Sequence, residues 1–198
     1  MGTKVQRDFV FQAGLHFKNK MLMNIYTLGI TFYVETNFPE EQSIAMDRIK
    51  YFLYDCLEHS IFVDETETEV IEKYLTAGLN VCTLPNLPYD QIVMTALLLK
   101  FNAITENRFS ITDIVLGSKM SDGVRFFGDI DTIDECFNKQ GWYNEPNTNF
   151  SDYKRKFSKN GKVVKLVVNN YDWEKSLKWM EKTPSEILFT KDTTYPNN

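Results

Sequence analysis

Apolar and polar residues alternate from 25 to 36 (IYTLGITFYVET), with Leu28, Ile30, Phe32 and Val34 on one side and Thr27, Thr31, Tyr33 and Glu35 on the other. That period of two predicts a strand with one buried face. The period then lengthens. Ala45, Met46, Ile49, Phe52, Leu53, Cys56 and Leu57 make one stripe at helical spacing, so a helix is predicted to about His59. It starts with Asn37 as cap, Pro39 in the first turn and Glu40 at the capping-box position. Residues 60–63 read as a short apolar exit. A second helix begins at Asp64 or Thr66, turns Val70, Ile71, Tyr74 and Leu75 inward, and stops at Gly78. Residues 79–84 suggest a short strand before the rigid turn LPNLP. Pro88 opens a third helix to about Thr105, whose only charge between Ile92 and Ile104 is Lys100. A helix apolar around most of its circumference belongs at the centre of a fold.

Further along, 108–116 and 123–128 read as two strands joined by a polar loop holding Asp122 and Gly123. A helical turn is predicted near 134–137. The Asn-, Gly- and Pro-rich stretch that follows, with Trp142 and Tyr143, marks a boundary. Beyond it, 153–157 and 162–168 flank Asn160 and Gly161, a hairpin signal. A last helix capped near Asn170 presents Trp173, Leu177 and Met180 inward, 187–189 suggests an edge strand, and the polar residues after Thr190 read as a mobile tail. Residues 1–20 read as a flexible basic arm or an upstream extension, since Met21 and Met23 precede the first predicted element. The expected organisation is a 1–20 arm, a 21–148 core domain, a 149–190 hairpin-helix unit packed on the core, and a 191–198 tail. The expected class is α+β: a mixed or antiparallel sheet packed against two or three helices.

Composition adds bounds. The chain has 198 residues, 43% apolar and 14% aromatic, enough for a substantial core. No run of about eighteen apolar residues occurs, so no membrane helix is expected. Three widely spaced cysteines, Cys56, Cys82 and Cys136, match neither a disulfide framework nor a paired zinc site, and suit a reducing cytoplasm. The start, MGTKVQ, has Gln6 where myristoylation wants Ser or Thr, and no secretory apolar core follows it. The net charge of −5 is unevenly distributed: +3 over residues 1–20, −12 over 21–150 and +4 over 151–198.

Standard catalytic kits are absent. The only histidines are His16, in the arm, and His59, at a helix C-terminus where a cation is favoured by the dipole. There is no GxxxxGK[ST], GxGxxG or HExxH. Four groups remain as candidates. Glu106 and Arg108, at the exit of the apolar helix, are the best acid–base or anion-binding pair. Asp113, Asp122, Asp129 and Asp131, around a predicted hairpin, are candidate Mg²⁺ ligands for phosphodiester chemistry, although their spacing fails the EF-hand pattern. Seven acids and no Lys or Arg lie between Asp55 and Glu72; Asp64, Glu65, Glu67 and Glu69 could face a basic partner, or simply complement a helix dipole. Lys154, Arg155, Lys156, Lys159 and Lys162, interleaved with Tyr153 and Phe157, form a basic hairpin suited to a phosphate backbone, or to blunting a sheet edge.

The runs MDRIKYFLYDCLEHSIFV, TLPNLPYDQIV and LKFNAITENR, within 32–108, resemble small uncharacterised proteins encoded by large tailed bacteriophages. The resemblance covers about two fifths of the chain and carries no catalytic residues. It implies an accessory protein acting on host or viral machinery, in the host cytoplasm.

The expected function is a non-catalytic accessory protein that binds another macromolecule, most simply a protein, through charge-segregated surfaces, with no cofactor. The alternatives are a metal-dependent phosphodiesterase or nuclease using the clustered Asp residues with Mg²⁺, and a nucleic-acid-binding module.

Overall fold

A computed structural model describes residues 3–34, 39–106, 108, 111–129, 131, 133, 135–138, 140–152, 157–159, 162–164 and 177–179. The alternation seen from residue 25 begins far earlier than the sequence reading placed it. Strands β1 (Thr3–Phe17) and β2 (Lys20–Val34) pair antiparallel along their whole lengths. The flexible-arm expectation for 1–20 is therefore corrected. Phe9, Phe11, Ala13 and Leu15 repeat every second residue and are all buried. The two-residue turn joining the strands has φ of 49° at Lys18 and 60° at Asn19. Two positive φ values in a two-residue loop are the type I′ pattern that suits strand twist, here without the usual glycine.

Helix α1 (Pro39–Tyr51) follows, then a π-helical segment (Phe52–Leu57). The predicted single helix to His59 thus widens in its last turns, with Glu58 N–H donating to the Leu53 carbonyl at 2.9 Å. It ends at His59, where φ is 63° and the N–H donates to the Gln12 carbonyl of β1 at 2.8 Å. The apolar exit at 60–63 is a strand, β3 (Ile61–Asp64), followed by α2 (Thr68–Thr76) and β4 (Val81–Leu84). Gly78, with φ of 83°, terminates α2 as expected. The third helix, α3 (Asp90–Thr105), precedes β5 (Ile111–Ser118) and β6 (Arg125–Asp129).

The six strands form one mixed sheet in the order β4-β3-β1-β2-β5-β6, and the fold is α+β. Strand β3 runs parallel to both β1 and β4, while the other pairs are antiparallel. The inner face carries Phe11, Tyr26, Leu28, Ile30, Ile114 and Leu116, in one core with α1, the π-helical segment and α3. On the outer face, among the described residues, α2 covers the β3–β4 end, where Ile71 packs with Ile61, Val63 and Val81. Strands β7 (Phe157–Lys159) and β8 (Lys162–Val164) form the predicted hairpin. Of the last predicted helix only residues 177–179 are described, and they are not helical. Trp173, Met180, the 187–189 strand and the tail lie outside the described residues. Among the described residues no helix is long and apolar enough to cross a membrane.

Candidate functional site

The exit of α3 is a tight cluster of ions. Glu106 takes a left-handed conformation, φ 48°, as the cap of α3, which turns the chain back towards α1. Arg108 Nε donates to Glu41 Oε2 at 2.9 Å, and its Nη1 to the Glu106 carbonyl at 3.0 Å. Arg48 Nη1 donates to Glu106 Oε1 at 2.8 Å and Arg48 Nε to the Leu177 carbonyl at 2.9 Å. Both guanidiniums lie over the Trp179 ring, 3.8 Å and 4.3 Å from its centre. Burial lowers the Arg48 pKa from its usual value, and Glu106 works against that shift. The sequence reading found Glu106 and Arg108 but missed Glu41, Arg48 and Trp179. The close partner of Arg108 is Glu41, with Glu106 Oε2 further off at 3.8 Å. Two guanidiniums matched by two carboxylates make a clamp that ties α1, the α3 exit and residues 177–179 together.

The four Asp candidates do not converge, which corrects the metal-ligand expectation. Asp113 and Asp129 face each other across β5 and β6. Asp122 lies in the loop at the far end of that hairpin, about 17 Å along the strand at ~3.4 Å per residue. Asp131 is exposed, and its N–H donates to Asp129 Oδ1 at 3.0 Å. Lys4 reaches Asp113 at 3.1 Å; the Thr112 hydroxyl and then Lys4 hold the Asp113 carboxyl below its usual value. Among the described residues no three His, Cys, Asp or Glu side chains are grouped so as to hold a metal ion.

The acidic block divides. Asp64 is buried and accepts from Thr66 N–H at 2.9 Å and Thr66 Oγ1 at 2.7 Å, so it shapes a turn. Glu67 lies with Oε2 3.7 Å from Nε2 of His16, whose Nδ1 is 2.8 Å from the Tyr74 hydroxyl. His16 is thus a buried residue of β1 under α2, corrected from a place in an arm. Glu65 and Glu69 are exposed. In the basic group, Lys159 and Lys162 are cross-strand neighbours of β7 and β8, while Lys154, Arg155 and Lys156 lie outside the described residues.

Lys100, the one charge of the apolar helix, is completely buried. Its Nζ donates to the carbonyls of Trp142 and Glu145, each at 2.9 Å, holding the 142–145 turn on α3. Burial pushes its pKa down to about 7, with Glu145 opposing. Burial also pushes the Cys56 thiol up to about 12 and raises Cys82 strongly, so both are inert packing groups.

The remaining feature is the open outer face. Successive rows across β1, β2, β5 and β6 read Gln6, Thr31, Asp113, Asp129; then Asp8, Gly29, Val115, Phe127; then Val10, Thr27, Gly117, Arg125. Gly29 and Gly117 put no side chain of their own into these rows and floor a trench of about 250 Å³, towards which the tips of Asp8, Gln6 and Thr27 lean. Asp8 and Arg125 line it with opposite charges, and Val10 and Val115 make apolar walls. A Cβ on Gly29 would meet Asp8 Oδ1 at 3.0 Å, and one on Gly117 would meet Thr27 Oγ1 at 3.0 Å. The sequence signal for this trench is glycine inside a strand pattern, at Gly29 and at Gly117.

No protein-family model and no curated protein matches the chain. Among solved structures the chain is similar to an uncharacterized protein from Wolinella succinogenes, at 9% identity and a TM-score of 0.47, over 66% of this chain and 99% of that one.

Proposed function

We propose that the chain is a non-catalytic binding protein whose open sheet face receives an apolar side chain of a protein partner. The observation that carries this is the trench floored by Gly29 and Gly117, with Asp8 and Arg125 lining it and Val10 55% and Phe127 75% exposed beside it. Exposed apolar groups around a concavity with a few polar groups are the usual make-up of a binding surface. The fitting partner segment carries a basic group for Asp8, an apolar anchor for the trench, and an acidic group for Arg125. Exposed Glu65 and Glu69 add long-range steering that salt weakens. Buried free thiols suit a reducing cytoplasm, and the resemblance to phage proteins directs the search to host or viral machinery.

The test is affinity capture from the native host with the wild-type chain and with Gly29→Val, which fills the trench next to exposed, movable Asp8 and Gln6. A protein retained by the wild type and by Glu65→Gln/Glu69→Gln, but lost with Gly29→Val and with Asp8→Lys, is the expected result. A partner held equally well by the filled trench overturns the reading.

A further inference from the structure

The two edges of the sheet are treated differently. Edge strand β4 is buried throughout, and the Thr83 carbonyl accepts from Trp142 Nε1 at 2.6 Å. Edge strand β6 has no neighbour beyond it among the described residues, and its central Phe127 is 75% exposed. A bare edge is a template for another strand.

The β6 sequence is Arg-Phe-Phe-Gly-Asp. Reversed about Phe127 it is self-complementary: Arg125 exchanges with Asp129, and Phe126 with Gly128. Residues 125, 127 and 129 share the outer face and 126 and 128 the inner one, as their β5 partners do. We propose that β6 pairs antiparallel with β6 of a second copy of this chain, about a two-fold axis at Phe127, joining two six-stranded sheets into one.

In that register Arg125 of each copy sits opposite Asp129 of the other, and Phe127 lies against its own counterpart. Opposite charges and aromatic pairs are the favourable cross-strand neighbours. Any different antiparallel strand would have to supply acid, aromatic and base at these same positions, which β6 itself does. Because the same surface is used by both copies, the contact closes at two. The covered β4 edge offers no continuation into fibres. The pairing shares Arg125 with the trench but uses neither Asp8, Gly29 nor Gly117.

The experiment is sedimentation equilibrium of the full chain over a concentration series. The wild type is expected to approach twice the 23.2 kDa chain mass. Arg125→Asp and Asp129→Arg each place like charges opposite one another twice, and each is expected to remain at the single-chain mass. Mixed in equal amounts they are expected to regain the doubled mass, since each copy then offers the charge the other lacks. Phe127→Lys, at an exposed side chain that the fold does not need, is expected to abolish the doubling with an unchanged melting temperature, while Gly29→Val leaves the doubling intact. A wild type that stays at single mass throughout, a doubled mass that the edge substitutions do not weaken, or folded single variants that fail to restore each other overturns the proposal.

Discussion

On the inner face of the sheet Phe11, Tyr26, Ile30 and Ile114 are at most 1% exposed; on the outer face of the same sheet Val10, Met23, Ile25 and Phe127 are 36 to 75% exposed. Both sets are apolar. What separates them is which side received the helices. Chain following β2 forms α1 and the π-helical segment, and these meet α3 over one face. Among the described residues only α2 crosses to the other side, and with nine residues it reaches no further than β3, β4 and the end of β1. Apolar character therefore marks a position as available for burial, and a covering element decides whether burial happens.

The largest effect expected from breaking this contrast is in the core. Phe11→Ala removes a ring stacked on Tyr26 at 5.1 Å and should cost about 3–5 kcal/mol of unfolding free energy. Val10→Ala, one residue away on the open face, should stay within about 0.5 kcal/mol. Urea unfolding of the two variants checks the difference, and equal costs would mean that the outer face is covered in solution.

Next comes the charge buried under the inner face. Lys100 titrates near 7 in the folded chain against an ordinary value of 10.5. Between those values the unfolded chain holds a proton that the folded chain has released, so stability rises with pH across that window and the gain is lost as pH falls through about 7. From pH 7 to 9 the gain is at most about 2–3 kcal/mol. Lys100→Met should flatten that rise. Denaturant midpoints of both proteins at pH 7, 8 and 9 give the comparison, and parallel curves would show that the two carbonyls keep the ammonium charged.

The smallest contrast is between two glycines. A Cβ at Gly128, on the inner face, would lie 2.5 Å from Cε of Met94, itself buried. Gly128→Ala should cost about 1–3 kcal/mol through overpacking. At Gly29 the nearest atoms belong to the ends of the exposed Asp8 and Gln6 side chains, so Gly29→Ala should change stability by no more than about 0.5 kcal/mol. Thermal melts rank the pair.

The β5–β6 hairpin, α2 with its Gly78 stop, and α3 were legible because each carries its own signal: an Asp–Gly turn, an αL stop, an uninterrupted apolar surface. Strand β1 was not read, although Phe9, Phe11, Ala13 and Leu15 alternate cleanly, because basic and polar residues fill the positions between them and the Lys18–Asn19 turn lacks glycine. The ion cluster was half legible. Glu106 and Arg108 are local neighbours, but Glu41 is 67 residues from Arg108 in the chain, and no periodicity relates the two. The trench was missed for a different reason: each glycine stands inside a strand pattern, but the two lie on strands that meet only when β2 pairs with β5.

By itself, the order of residues determined where the chain bends and which period each segment follows, because backbone geometry imposes periods of two and 3.6 on any segment that has an apolar side to bury. Tertiary structure alone decided that β1 lies between β2 and β3, that Lys100 is sealed beneath Trp142, that Arg108 finds Glu41, and that, among the described residues, most of one face of the sheet is left uncovered. Each of those outcomes depends on contacts between residues far apart in sequence. Such contacts form only once the sheet order and the placement of its three helices are set.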